Sequence, residues 1–194
     1  MRPLTEKERE ILLLLVKDFT TEYNARSLSA KVNLSPRGAL KALKILEQRG
    51  LVKSRRLGNA LICTPLFGEH GRRLCALLLF EEAQEKAARW VKEFEGFTKA
   101  CALVLFGSVL RTKDHNDIDL MIVVEEKYYK SVVKLVDEKN KILLKHIHPV
   151  WQTPDDFGKN LRKPDKVVLD VMRTGIVLKG QETIVEALAR VTSR

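Results

Sequence analysis

Cysteine is scarce in this chain, and the few there are do not cluster. Cys63, Cys75 and Cys101 are odd in number and far apart, with no CxxC pair and no Cys/His group near them. That pattern points away from a zinc site and from a disulfide framework. Long apolar runs are also missing: none approaches the roughly 20 residues that a bilayer-spanning helix needs, so no membrane partner is expected. The opening "MRPLTEKERE" lacks the apolar stretch of a secretory signal, and the expectation is a cytoplasmic protein. Internal repeats and low-complexity segments are absent. Acid is the minority charge, 25 Asp plus Glu against 35 Lys plus Arg, a formal net charge of +10. Such a surplus suits an anionic partner, but where it sits matters more than its size.

What is present divides into two parts. "TEKE", Thr5 to Glu8, has capping-box spacing, so a helix starts there and runs through "ILLLLVKDF". A second helix fits Ala25 to Val32. A third has Ser35 as N-cap and Pro36 at its first position, runs to about Arg49 and stops at Gly50. "LVKSRRLGNALICTP" reads as two short strands around a Gly58-Asn59 turn. A long helix is expected from about Phe67 to Glu95, ended by Gly96. Beyond it come strands Ala102 to Phe106 and Ile118 to Val124, helix Lys127 to Lys139, strand Ile142 to Val150, and two or three short helices.

The third helix concentrates the charge. Ala39, Leu43 and Leu46 form its apolar stripe. Arg37, Lys41, Lys44 and Gln48 recur at the same intervals on the opposite face, a row suited to phosphate oxygens and base edges in a major groove. The hairpin adds Lys53, Arg55 and Arg56. Between Tyr23 and Leu66 nine basic residues stand against one acid, Glu47, so this segment carries most of the chain's net charge. Three helices followed by a two-stranded wing, with "NARSLSAKVNLSPRGALKALKILEQRGLV" entering it, resemble the winged helix-turn-helix of prokaryotic transcription regulators. The resemblance covers residues 1–66 and implies binding to double-stranded DNA.

In "LFGSVLRTKDHNDIDLMIVV", Leu105 to Val124, a strand runs into Gly107-Ser108, a polar loop follows, and Asp117 and Asp119 alternate with apolar residues on the next strand. Aspartates at i and i+2 on a strand share a face. Two carboxylates so close repel one another unless a divalent cation lies between them. Magnesium takes one or two protein carboxylates and leaves its other positions to water and phosphate oxygens. A Gly-Ser turn offers backbone N–H groups and a hydroxyl, and glycine lets a phosphate come close.

This combination resembles the polymerase-beta-type nucleotidyltransferase superfamily in its minimal prokaryotic form, from about Ala100 to the chain end. "HPVWQTPDDF" and "GIVLKGQE" also look like its downstream part. The resemblance implies a mixed sheet with flanking helices, Gly107 and Ser108 contacting the phosphates of a nucleoside triphosphate, and Asp117 and Asp119 holding Mg2+ as the catalytic carboxylates. Full transferases of the family carry a third carboxylate on a later strand. The corresponding "KILLKHIHPVW" has none; His146 and His148 would share a face there, and Asp155 and Asp156 just beyond are expected to cap the next helix.

The long helix carries Ala76, Phe80, Ala83, Ala87, Trp90 and Phe94 at four-three spacing. Such a seam packs either on the chain itself or in a homodimer, and a dimer would suit two-fold DNA sites. The whole reads as an α+β protein: a winged helix-turn-helix at 1–66, a linker or dimerisation helix at 67–95, and a nucleotidyltransferase-like domain at 96–194. Its functions are then nucleotidyl transfer to an unknown acceptor, or regulation by a catalytically weak transferase-like domain that senses nucleotide or docks a protein partner, a toxin to be neutralised among them.

Overall fold

A computed structural model describes residues 2–58, 60–112, 116–163 and 165–192 of the chain. The fold is α+β with two separate sheets. It divides into two compact units, Met1–Leu78 and Leu79–Arg194, and the boundary falls inside a long helix.

The first unit holds helices α1 (Glu6–Lys17), α2 (Ala25–Lys31) and α3 (Pro36–Gln48), then strands β1 (Val52–Leu57) and β2 (Ala60–Pro65). The expected capping box forms: the Glu8 amide donates to Thr5 Oγ1, and the Thr5 amide donates to the Glu8 carboxylate at 2.9 Å. Ser35 Oγ accepts from the Gly38 amide at 3.1 Å and opens α3. At the other end Gly50 adopts φ +66°, the Leu51 amide donates to Leu46 O, and the Gly50 amide donates to Glu47 O. That paired closure requires the left-handed conformation, which a glycine takes without a steric penalty. Ile11, Leu12, Leu15, Leu28, Leu43 and Leu46 are fully buried and form the core. β1 and β2 pair antiparallel from Val52↔Pro65 to Leu57↔Ala60. Gly58 of the expected turn has φ +57°; Asn59 lies outside the described residues.

Helix α4 (Glu69–Glu93) crosses the boundary, with a non-helical φ/ψ of −140°/24° at Ala87. The second unit continues with β3 (Ala102–Phe106), a 3-10 turn (Gly107–Leu110), β4 (Ile118–Val123), α5 (Glu126–Asn140), β5 (Ile147–Gln152), α6 (Pro154–Arg162), α7 (Lys166–Thr174), β6 (Ile176–Lys179) and α8 (Gln181–Thr192). The sheet order is β5-β4-β3-β6. β3 is antiparallel to both β4 and β6, while β4 and β5 run parallel, joined by α5. The sheet is therefore mixed.

Its two faces are covered differently. Leu103, Leu105, Ile118, Leu120, Ile122 and Val124 pack with Ala83, Ala87 and Phe94 of the α4 segment and with Val132 and Val136 of α5. Val104 faces the other way, toward the end of α7, where a Cβ on Gly175 would come within 2.8 Å of Val104 Cγ1. α6 and α8 pack together, and α6 also meets α7, on that side.

Two expectations are corrected here. The apolar "ILL" of 142–144 is not strand: Ile142 and Leu144 are 80% and 102% exposed. β5 pairs only as far back as β4 reaches, the Ile118 amide donating to His146 O, so the residues before it have no ladder partner. Ile176–Lys179, placed among terminal helices, is an edge strand on β3. The seam on α4 is largely absorbed by the chain's own packing. Ala76, Ala83, Ala87 and Phe94 are buried, Phe94 meets Phe97 edge-to-face at 5.4 Å, and of the six only Phe80 is exposed. Of the residues expected to serve a homodimer, Phe80 is the one left open to a partner.

Candidate functional site

In the first unit, Arg37, Lys41, Lys44 and Gln48 are all exposed, on the face of α3 away from buried Ala39, Leu43 and Leu46. Lys53, Arg55 and Arg56 are exposed on β1. Lys53 and Arg55 alternate to one face and Arg56 to the other. Arg55 is already engaged, donating through Nη2 to Glu22 Oε1. Ser54 between them turns inward, its hydroxyl 3.5 Å from Cys63 Sγ and its amide donating to Glu47 Oε1 at 3.0 Å. That last bond ties the hairpin to the end of α3. Glu47, the segment's lone acid, spends its charge on this link.

In the second unit the sequence stretch becomes a compact corner. β3 ends at Phe106, opposite Asp119 of β4. The chain then turns at Gly107 with φ +80°. A Cβ built there would overlap Asp119 Oδ2 and lie 2.8 Å from Asp119 Cγ. Only a residue without a side chain lets this backbone lie against that carboxylate. Among the described residues no side chain caps the start of the 3-10 turn. The Arg111 and Thr112 amides both donate back to Ser108 O at 2.9 Å, and Ser108 itself is exposed. Asp119 is half-buried on β4, and the four residues after it are fully buried; Asp117, also half-buried, is not on the strand as expected but in the bend just before it. Lys113, Asp114 and His115 lie outside the described residues.

The register of the parallel pair places His148 directly opposite Asp119. His148 Nε2 lies 3.7 Å from Asp117 Oδ1. His146, by contrast, lies before β5. Asp155 and Asp156 lie past the far end of β5, in the first turn of α6, and neither is its N-cap. Thr153 is the cap, accepting from the Asp156 amide at 3.1 Å and donating to Asp156 Oδ2 at 2.8 Å. Proline at 154 puts the first helical position there, which moves the cap one residue earlier. Asp155 pairs with Lys159 at 2.6 Å.

Carboxylates are the donors that a hard divalent cation takes from a protein, with water and phosphate oxygens completing its shell. Among the described residues no group of three or more His, Cys, Asp or Glu side chains is arranged to hold a metal alone. The contact between Gly107 and Asp119 was not legible in sequence, because it depends on the β3–β4 register. So does the pairing of His148 with the aspartates. No family model matches the chain, and no curated protein and no solved structure matches it either.

Proposed function

We propose that the chain is a DNA-binding protein whose second part, residues 96–194, acts as a minimal nucleotidyltransferase-like domain that takes Mg2+ and a nucleoside triphosphate. The single observation that carries this reading is the Gly107–Asp119 corner. A strand end, a glycine turn with φ +80° and a half-buried carboxylate meet at one point, with Asp117 two residues earlier, just before β4. Asp117 and Asp119 would hold the cation. Bound there, magnesium would neutralise phosphate charge and polarise the transferred phosphoryl group. Gly107 and Ser108 would contact the phosphates, the glycine by close backbone approach and the serine through its exposed hydroxyl.

A specific observation favours slow or absent turnover. The position facing Asp119 across the parallel pair is His148, and "IHPVWQ" of β5 contains no Asp or Glu. A third acid that would help hold a second metal and take a proton from an attacking hydroxyl has no counterpart there. The reading therefore leans toward a nucleotide-responsive regulator with weak catalysis. The α3 row and β1 would present it to duplex DNA as a winged helix-turn-helix, residues 1–66. Calorimetric titration with Mg2+ and each nucleoside triphosphate tests the nucleotide half. Metal-dependent binding of at least one triphosphate is the expected result, and no binding of any of them overturns it.

A further inference from the structure

The parallel strands β4 and β5 end side by side, and each is followed at once by a helix. α5 leaves on the sheet face covered by Val132 and Val136, whereas α6 joins α7 and α8 on the opposite face. Strand ends whose following helices diverge leave a crevice, the general location of ligands in open α/β sheets. A cavity of about 290 Å³ lies there, at the opposite end of β4 from Asp117 and Asp119. Its walls include Val124, Tyr129 and Trp151, with Glu126 from α5 and Asp156 from α6. Tyr129 and Trp151 meet edge-to-face, centroids 4.9 Å apart at 72°.

The charge of this lining is opposite to that of the chain. Among the described residues, two carboxylates and no lysine or arginine line the cavity in a protein of formal net charge +10. Among the described residues the Glu126 carboxylate has no hydrogen-bond or ion-pair partner, and no cation of the chain lies over either ring. Asp156 is 3.8 Å from Lys159 Nζ, but that lysine is held more closely by Asp155 at 2.6 Å. Aromatic faces beside carboxylates select an organic cation, which the ring quadrupoles attract and the carboxylates neutralise. Gln152 adds a carbonyl acceptor, Oε1, which takes one hydrogen bond from Asn160 Nδ2 and keeps a second lone pair. An acceptor set with an apolar floor suits a primary ammonium, a three-fold donor, on a short alkyl stem.

We infer that this cavity is a binding site for a small primary alkylammonium ion, separate from the Asp117–Asp119 corner and independent of its function. The test uses the full chain labelled with nitrogen-15. The indole N–H signal of Trp151, told apart from that of Trp90 by a Trp151→Phe variant, is followed while n-butylammonium chloride is added at constant ionic strength. A saturable shift is expected, absent with n-butanol. Glu126→Gln combined with Asp156→Asn, which alters two exposed side chains and leaves Thr153 its capping role, should weaken binding about fivefold or more with thermal stability unchanged. A short peptide with one central lysine should bind no more tightly than butylammonium. Equal shifts with butanol, no saturation, or undiminished binding by the double variant would overturn the assignment. Tighter binding of the peptide would also overturn it, since the site would then serve a protein's lysine rather than a free amine.

Discussion

Gly107 lies with its backbone against the Asp119 carboxylate, so closely that a Cβ on Gly107 would fall 2.8 Å from Asp119 Cγ and overlap Oδ2. The φ of +80° is a second barrier to any side chain there. Gly107→Ala should therefore destabilise the protein by about 1–3 kcal/mol in urea denaturation, combining left-handed backbone cost with displacement of the carboxylate. It should also weaken metal-dependent nucleotide binding. A variant as stable as wild type would mean the corner is looser than described.

Glu8 offers a pH-dependent test in the first unit. Hydrogen bonds from the Arg2 guanidinium, chiefly, and from the Thr5 amide hold its carboxyl below the ordinary glutamate value, outweighing the upward push of burial. A carboxyl depressed in the folded state stabilises above its unfolded value, and that contribution is lost as pH falls through the folded one. Glu8→Gln should thus cost about 1 kcal/mol at pH 7. The gap from wild type should close as the pH drops below about 4.5, the ordinary value. Thermal melts from pH 7 to pH 3 check it. A gap that persists at acid pH would assign the effect to packing.

The exposed row of α3 predicts salt-sensitive DNA binding. In fluorescence anisotropy with duplex DNA, the full chain should lose affinity steeply as salt rises, because each phosphate neutralised releases counterions. Lys41→Glu with Lys44→Glu should weaken binding about tenfold or more and flatten the salt dependence. Neither side chain is buried, so folding should be untouched. Arg55, paired with Glu22, should matter less than Arg56. Equal binding by wild type and double variant would remove the row as the reader.

Local signals in the sequence were reliable at most helix ends, the exception being α6, whose cap is Thr153 and not Asp155 or Asp156. Thr5–Glu8, Ser35–Pro36 and Gly50 set helix ends through bonds within one turn, and all three ends formed where those residues stand. Strand Ala102–Phe106 came from a plain apolar run bounded by Gly107. The other failures depended on partners far along the chain. "ILL" at 142–144 has strand composition but no strand to pair with, while "IVLK" at 176–179 gained one in β3. The α4 stripe could not reveal which surface would cover it. At the site, the residue types were legible and their meeting was not. Asp119 on β4 follows from alternation, but the approach of Gly107 and the placement of His148 follow from β3–β4 and β4–β5 register.

The most direct test of the central claim is calorimetric titration of Mg2+ with nucleoside triphosphate into wild type and Asp119→Asn. The substitution keeps size and removes one of two like charges close in sequence, so the metal-free variant should be within about 1 kcal/mol of wild type. Metal-dependent binding should fall about tenfold or more, since the cation loses one of its two carboxylates. Undiminished binding by Asp119→Asn, or none by wild type, would contradict the assignment of this corner to a metal and a triphosphate.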